Sequence, residues 1–287
     1  MTQPPVQMGA VNPAYNPSAG FAQPAPVSTQ PVPGFGLAQP APAPAAAQWM
    51  PMPTTIYPDC PPGLEYLTQL DQILVHQVVE LLEVLTGFET NNRFKIKNTL
   101  GQQCYYAHED TETCMRIFCG NQRGFIFRIT DNTNREVFTV SREFKLCAGC
   151  CWCANSDCCA WEIEVEAGPG NVIGRIRQAQ SFWYANLDIM DGSGQVVLQI
   201  KQRQCCICPG PCCTCDFAFE IYDMKGMVIG AITKKYSGCM KECFTNATNF
   251  TITFPVNLDV KMKATLLGAC LLLDMMFFEY NENDNDF

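Results

Sequence analysis

The segment FIFRITDNTNREVFTV, residues 125–140, contains two runs of alternating apolar residues separated by a turn rich in Asp and Asn. Alternation with a period of two is typical of a β-strand that buries one face, and Asp in a tight turn accepts local backbone hydrogen bonds. The segment therefore predicts a β-hairpin. Residues 187–198 and 217–229 repeat the same order of strand, Asp-opened turn and strand, which predicts two further hairpins.

An internal repeat extends this pattern. EVEAGPGNVIGRI at 164–176 matches EIYDMKGMVIGAI at 220–232 without a gap, 56 residues apart. Two similar halves built from many short strands favour a closed antiparallel β-barrel of duplicated origin. Gly168, Gly170 and Gly174 lie inside a predicted hairpin and no helix follows them, so we interpret them as turn residues rather than as a phosphate-binding loop.

Two segments have patterns other than the strand pattern. Leucines and a valine recur at helical spacing through residues 64–86, and Gly87 suits a helix C-cap, so we predict an amphipathic helix that packs on the domain. The apolar run 264–278 predicts a hydrophobic helix. It is shorter than the ~20 residues that a bilayer crossing needs and it contains Asp274. Lys261 and Lys263 before the run and acids after it fit a crossing, but we expect a helix enclosed by the barrel.

The chain divides into three parts by composition. Sixteen of its twenty prolines lie at or before Pro62, and the first charged residue is Asp59. Such a composition predicts a disordered proline-rich arm over 1–60, which is either a solvated linker or a docking segment for SH3- or WW-type domains that read proline. Residues 61–280 form the predicted barrel domain, and 281–287 form an acidic tail.

Charge and chemistry exclude several classes of function. The net charge of −9 and the sequence pI of about 4.8 argue against a nucleic-acid-binding protein. The two histidines, His76 and His108, fall in no metal-pair or nucleophile spacing, and no pair of carboxylates suggests acid–base catalysis. We therefore do not expect a conventional enzyme.

The nineteen cysteines are the unusual feature of the composition. The first residues carry neither the basic nor the apolar region of a secretory signal, so we expect reduced thiols on the cytosolic side. Two clusters, 147–159 and 205–215, each contain adjacent cysteines. Three interpretations compete: a tetrahedral zinc site from Cys147, Cys150, Cys212 and Cys215, a redox sensor, and multiple acylation. Adjacent exposed cysteines favour acylation, because two acyl chains anchor a protein far more firmly than one.

Several motifs occur in an order that resembles the phospholipid scramblase family. They are CPPGLEYL at 60–67, LLEVLTGFETNN at 81–92, the first cysteine cluster followed by EIE at 162–164, FPVNLDVKMKA at 254–264, LGAC at 267–270 and FFE at 277–279. The resemblance covers residues 60–280. It implies a tubby-like β-barrel around a hydrophobic C-terminal helix.

The resemblance also implies a function and a location. Family members move membrane phospholipids between leaflets without ATP and under calcium stimulation, at the cytoplasmic face of the plasma membrane. It implies palmitoylation in the first cluster, which we carry onto Cys150, Cys151, Cys153, Cys158 and Cys159. The alternative, from another functional class, is a palmitoylated, membrane-anchored adaptor or lipid-binding scaffold that uses its proline-rich arm for docking.

Two family segments differ in this chain. The calcium segment corresponds to residues 246–257 ahead of Asp259, and Asn246, Thr248 and Asn257 stand where the family has acids. Ca²⁺ binds most tightly to carboxylates, so we expect weak binding by these residues. The nuclear-import segment corresponds to 230–238, where Lys234 and Lys235 are the basic residues, which gives little support for a nuclear pool.

Overall fold

A computed structural model describes residues 48–53, 59–78, 91–149, 151–181, 184–202, 217–235 and 249–279. Within them the chain forms twelve strands: β1 Gln72–Gln77, β2 Arg93–Lys97, β3 Gln103–Asp110, β4 Phe125–Thr130, β5 Glu136–Arg142, β6 Glu162–Glu166, β7 Val172–Ala179, β8 Asn186–Asp191, β9 Val196–Gln202, β10 Phe217–Asp223, β11 Val228–Lys234 and β12 Asn249–Thr253. Two α-helices accompany them, α1 Thr113–Cys119 and α2 Val260–Phe277, with 3-10 helices at Leu64–Gln69, Gly120–Gln122 and Cys151–Cys153.

The twelve strands close into one antiparallel barrel. Each strand pairs with the next in the chain, and β1 pairs with β12 to complete the ring. Closure leaves the described sheet without an open edge. Because neighbours are antiparallel, the connections alternate between two ends. We call the end with the β4–β5 and β8–β9 turns the turn end, and the opposite end, where β5 leads into the first cysteine cluster, the cysteine end.

The predicted hairpins are confirmed, and one side-chain geometry recurs in their turns. Asp131 Oδ1 accepts hydrogen bonds from the N–H groups of Thr133 and Arg135 at 2.8 and 3.0 Å. Asp191 and Asp223 each accept from the residues two and four positions later in the same way. The carboxylate satisfies donors that the reversing chain would otherwise leave open, which is why Asp begins each turn.

The repeat at 164–176 and 220–232 corresponds to two equivalent hairpins, β6–β7 and β10–β11. Both have a register shift between the first and second residue pairs counted from the turn, at Val165/Glu166 and at Ile221/Tyr222. Gly174 lies where α2 packs closely on the wall, since a Cβ there would collide with the Thr265 hydroxyl. Gly168 and Gly170 lie in a turn with positive φ, as the sequence predicts. Gly174 lies in β7 instead, where the absence of a side chain permits close packing of the helix.

The predicted amphipathic helix over 64–86 is wrong for the part that the structure describes. Residues Leu64–Gln69 form a 3-10 helix and Gln72–Gln77 form β1. Ile73 and Val75 face the core, while the other residues of β1 are only half-buried. Burial therefore alternates along the chain with a period of two. Hydrogen bonds to β2 and β12 on both sides complete the barrel, and this long-range pairing outweighs the local leucine spacing. Residues 79–86 lie outside the described part.

Structured residues also occur within the segment that composition assigns to the arm. The Met50 N–H donates to the carbonyl oxygen of Gln103 at 2.8 Å, and the Gln103 N–H donates to Gln48 at 2.8 Å. Met50 is buried against the barrel core. Residues 48–50 thus form one isolated parallel β-bridge with the first residue of β3.

Candidate functional site

Helix α2 fills the barrel and is the first part of the candidate site. Every residue from Met262 to Met275 is buried. The helix enters at the turn end, where the Asp259 carboxylate caps it by accepting from the Lys261 N–H at 2.7 Å. It ends at the cysteine end, where Phe278 packs edge-on against Phe217 and Phe250. The expectation that the final hydrophobic run is a helix enclosed by the barrel is confirmed.

No helix among the described residues has both the length and the apolar character that crossing a membrane requires.

A buried lysine secures the first turn of α2. Lys263 is fully buried, and its Nζ donates to the carbonyl oxygens of Leu67, Leu70 and Val256 at 2.8, 2.7 and 2.7 Å. Burial lowers the pKa of Lys263 to about 8, although attraction to Asp71 opposes the shift. The three carbonyls satisfy all the donors of the ammonium group. Lys263 therefore joins the helix to the 3-10 helix Leu64–Gln69 and to the chain after β12.

A buried ion cluster secures the other end of the helix. The Arg123 guanidinium donates to Glu109 from Nε at 2.7 Å and to Glu279, the second residue after α2, from Nη2 at 2.6 Å. Arg116 lies 3.3 Å from the same Glu109 carboxylate. Burial raises the pKa of Glu109, but the hydrogen bonds and charge of Arg123 outweigh burial and lower it overall. The Glu109 carboxylate is thus held ionised against arginine in a dry environment.

A second arginine stacks beside this cluster. The Arg142 guanidinium carbon lies 3.9 Å from the centroid of the Trp161 ring and 4.8 Å from that of Phe125. Its Nε donates to the carbonyl oxygen of Arg123 at 3.1 Å. Burial, together with the charge of Arg123, lowers the pKa of Arg142. Stacked between two rings, Arg142 connects the start of β4 to the start of β6.

The first cysteine cluster lies in the β5–β6 connection, residues 143–161, at the cysteine end. Cys147, Cys153 and Cys158 are exposed and Cys159 is half-buried. Cys151 begins the short 3-10 helix Cys151–Cys153, and Cys150 lies outside the described residues. Two contacts fasten this connection to β7 and the residue that follows it: Arg177 to Asp157 at 2.6 Å, and Gln180 to the Trp152 oxygen at 2.8 Å. A third, from Lys145 Nζ to the Ala160 oxygen at 3.2 Å, joins the two ends of the connection to each other. The thiols are therefore presented on a folded surface.

Two neighbouring thiols in this connection differ in acidity. Hydrogen bonds with Ser156 and Cys159 lower the pKa of Cys158. The same contact with Cys158 raises the pKa of Cys159 to about 11. The thiolate is the nucleophile in acyl transfer and alkylation. We therefore expect Cys158 to be the more reactive of the pair.

The zinc interpretation depends on residues outside the described part. Cys150, Cys212 and Cys215 all lie there, so the proposed tetrahedral set stays a prediction. Within the described ranges, no cluster of three or more His, Cys, Asp or Glu side chains is arranged to hold a metal ion. The second cysteine cluster falls between β9, which ends at Gln202, and β10, which begins at Phe217, and both of these strand ends belong to the cysteine end.

Two of the four calcium candidates lie among the residues that the structure describes. Asn246 and Thr248 lie outside the described residues, immediately before β12 begins at the cysteine end. Asn257 and Asp259 follow β12 at the turn end, and the Asp259 carboxylate caps α2. The full length of β12 thus lies between the two pairs.

Sequence reasoning missed the charged groups that hold α2 in place. It placed Lys263 in the flank of a hydrophobic run, and it assigned no role to Glu109, Arg123 or Glu279. A signal for Glu109 existed, because it occupies an inward position in the alternation of β3. Its arginine partner could not be identified from one sequence, since pairing across the barrel end depends on the fold.

The chain is similar to proteins of one known family. A family model described as Scramblase matches residues 50–280. Phospholipid scramblase 1 of Rattus norvegicus is 47% identical over 246 residues, which is 84% of this chain and 69% of that protein. Phospholipid scramblase 2 of Bos taurus is 46% identical over 260 residues, which is 90% of this chain and 84% of that protein. Phospholipid scramblase 4 of Mus musculus is 40% identical over 286 residues, which is 96% of this chain and 79% of that protein. No solved structure gives a significant match.

Proposed function

The chain belongs to the scramblase family, and from this premise we propose that it moves phospholipids between the two leaflets of a membrane. The observation that carries the proposal is identity of 40–47% to proteins named phospholipid scramblase along most of both chains. The reaction is transport without covalent chemistry, in both directions and without ATP. Its substrates and partners are membrane phospholipids.

The finer parts of the proposal concern attachment and control. Acyl chains on cysteines of the 147–159 cluster hold the barrel at the cytoplasmic face of the plasma membrane, and calcium stimulates transport. The exposure of Cys147, Cys153 and Cys158 supports the acylation step, because an acyltransferase needs an accessible thiol. Support for calcium control comes from the family resemblance, and the ion would bind weakly.

The position of α2 limits the routes that a lipid can take. The helix occupies the barrel interior along its length, and charged contacts of Lys263 and Glu279 secure both of its ends. Lipid headgroups therefore have no route through the described barrel while α2 stays inside it. Transport requires either that the helix leaves the barrel or that lipids move along the outer surface.

The same observation favours a second candidate function. A barrel filled by its own helix is a stable scaffold, and a membrane-anchored adaptor needs no lipid pathway. In this alternative the proline-rich arm binds SH3- or WW-type domains while the barrel rests on the membrane.

Vesicle reconstitution discriminates the two candidates. The purified full-length chain is incorporated into unilamellar vesicles that contain a fluorescent phospholipid, and a membrane-impermeant reductant bleaches the outer leaflet. Scrambling predicts bleaching beyond the outer-leaflet pool, faster with calcium. The adaptor predicts bleaching that stops at the outer leaflet, as in protein-free vesicles. That second result, at full incorporation and at millimolar calcium, would rule out the transport proposal.

A further inference from the structure

Large apolar side chains are exposed in two connections at the cysteine end. Phe118, the penultimate residue of α1, is 86% exposed, and Leu146 and Trp152 of the β5–β6 connection are 78% and 57% exposed. Phe144 of the same connection is 44% exposed. We call Phe118, Phe144, Leu146 and Trp152 the apolar patch. Such a concentration of exposed aromatic and aliphatic groups marks an interaction surface.

The two connections are joined to each other and to the thiols. Gln122 Nε2, three residues after α1, donates to the carbonyl oxygen of Ala148 at 3.4 Å. Trp152 directly precedes the exposed Cys153 in the same 3-10 helix. The apolar patch therefore shares one surface with the cysteines that the proposed function acylates.

The turn end also exposes apolar side chains, so exposure alone does not decide between the two ends. Met224 and Met227 in the β10–β11 turn are 60% and 56% exposed. They flank a turn opened by Asp223, and Asp191 opens another turn at the same end. The exposed Lys225 lies between the two methionines, so the charge of this turn does not decide between the two ends either. The cysteines of the proposed acylation lie at the cysteine end, and this favours the apolar patch as the membrane contact.

The cysteine end also carries exposed basic residues. Lys201 is the last residue but one of β9 and Lys235 follows β11, and both are exposed. Two nearby acids are paired, Asp157 with Arg177 and Glu162 with Lys145, whereas Glu143 beside Phe144 is exposed. Exposed aromatic residues combined with basic residues suit the interface of an anionic bilayer.

We propose that the apolar patch inserts into the interfacial region of an anionic lipid bilayer, so that the cysteine end faces the membrane before any cysteine is acylated. The inference rests on the membrane association in the proposed function and adds which surface makes the contact. Insertion brings Cys153 and Cys158 to the depth where acyl chains are attached and retained. A weak first contact followed by acylation is the two-signal arrangement that stable anchoring needs.

The test uses the full-length chain produced without acyltransferases and flotation with vesicles of phosphatidylcholine and phosphatidylserine. The double variant Leu146→Asp with Trp152→Asp should bind about tenfold more weakly or worse. The matched control, Met224→Asp with Met227→Asp, adds the same charge at similarly exposed positions of the turn end and should bind as well as the unmodified chain.

Three results would overturn the proposal. They are an equal loss of vesicle binding in both double variants, no loss of binding in the patch variant, and no flotation of the unmodified chain. Trp152→Phe gives a second measurement, and this conservative change leaves the fold intact. If Trp152 enters the bilayer, the variant should show less quenching of protein fluorescence by brominated lipids. Flotation needs no scrambling, so a chain that floats but does not scramble refutes the transport proposal and leaves the docking surface intact.

Discussion

Arg123 donates two hydrogen bonds to Glu279, from Nη1 at 3.0 Å and from Nη2 at 2.6 Å. The contact joins Arg123, two residues before β4, to the second residue after the enclosed helix. Asn92 donates to the same carboxylate at 2.8 Å. Together with Lys263 at the other end, this contact fixes the helix at both of its ends. Any movement of α2 out of the barrel must break it.

We expect Glu279→Gln to lower the free energy of unfolding by about 2 kcal/mol, because it removes one partner of a buried charge pair while Arg123 keeps Glu109. Urea denaturation measures the change. Glu136→Gln is the matched control, since Glu136 pairs with Arg128 at 2.8 Å in an exposed position. The control should change stability by less than about 0.5 kcal/mol. Equal effects of the two substitutions would mean that the Arg123–Glu279 contact does not secure the helix.

Lys263 gives the folded protein a distinctive pH dependence. Its pKa is lowered by burial from the ordinary 10.5 to about 8. Between these values the unfolded chain binds more protons than the folded one, so the Lys263 contribution makes stability rise with pH through this window and leaves it constant below about pH 8. Lys263→Met should remove this rise. It should also lower stability overall, because three buried carbonyls lose their donor.

The measurement is the difference in unfolding free energy between the unmodified chain and Lys263→Met at several pH values from 7 to about 10.5. Other groups that titrate in this range, such as the cysteines, are common to both proteins and cancel in the difference. A difference that stays constant across the window would show that the three carbonyls keep the ammonium charged throughout.

The local parts of the fold could be predicted from the sequence because local rules govern them. The turn of 131–135 is specified by Asp131 and by the alternating residues on each side, so the hairpin needs no distant partner to be recognised. The enclosed helix could be predicted because its run is too short for a bilayer and apolar on every side. These features depend on chain segments of fewer than twenty residues.

Long-range pairing explains what the sequence did not reveal. Residues 72–77 carry a leucine and valine spacing that also fits a helix, and only pairing with β12, far along the chain, makes them a strand. Lys263 is spaced like a charged flank of the apolar run, yet carbonyls nearly two hundred residues away surround it. The apolar patch combines residues of two connections, which no single motif contains.

We expect replacement of Cys150, Cys151, Cys153, Cys158 and Cys159 by Ser to release the protein from cellular membranes into the soluble or nuclear fraction. The apolar patch alone gives only weak binding, whereas two acyl chains give a stable anchor. Cell fractionation measures the release, and hydroxylamine, which cleaves thioesters, should have the same effect on the native chain. Cys114→Ser is the matched control, because Cys114 is exposed at the same end and lies outside the cluster. Membrane retention after both treatments would exclude acylation as the main anchor.

Within the cluster, Cys158 should react with iodoacetamide faster than Cys159 near neutral pH. Its hydrogen bonds lower the pKa of its thiol, while the pKa of Cys159 is raised to about 11. The thiolate fraction sets the alkylation rate when intrinsic nucleophilicity is similar. Timed alkylation of the full-length chain followed by peptide mass spectrometry measures both rates. Ser156→Ala should slow the alkylation of Cys158. Faster alkylation of Cys159 than of Cys158 in the unmodified chain would contradict the expected order of reactivity.

The last prediction concerns calcium, for which this chain should have an affinity of about 10⁻³ M or weaker. Asn246, Thr248 and Asn257 offer neutral oxygens, and such ligands offset less of the cost of dehydrating Ca²⁺ than carboxylates do. The five residues of β12 extend over ~13 Å, whereas calcium holds its ligands at ~2.5 Å, so one ion cannot bind beside Asn249 and at Asp259 together. We therefore expect two sets of substitutions to change calcium affinity independently: Asn246→Asp with Thr248→Asp, and Asn257→Asp. If the affinity rises by about tenfold, one of the two sets alone should produce the rise. Titration calorimetry on each variant measures this, with Asn132→Asp as the control for added charge in an exposed turn. Micromolar binding by the unmodified chain would mean that other residues hold the ion.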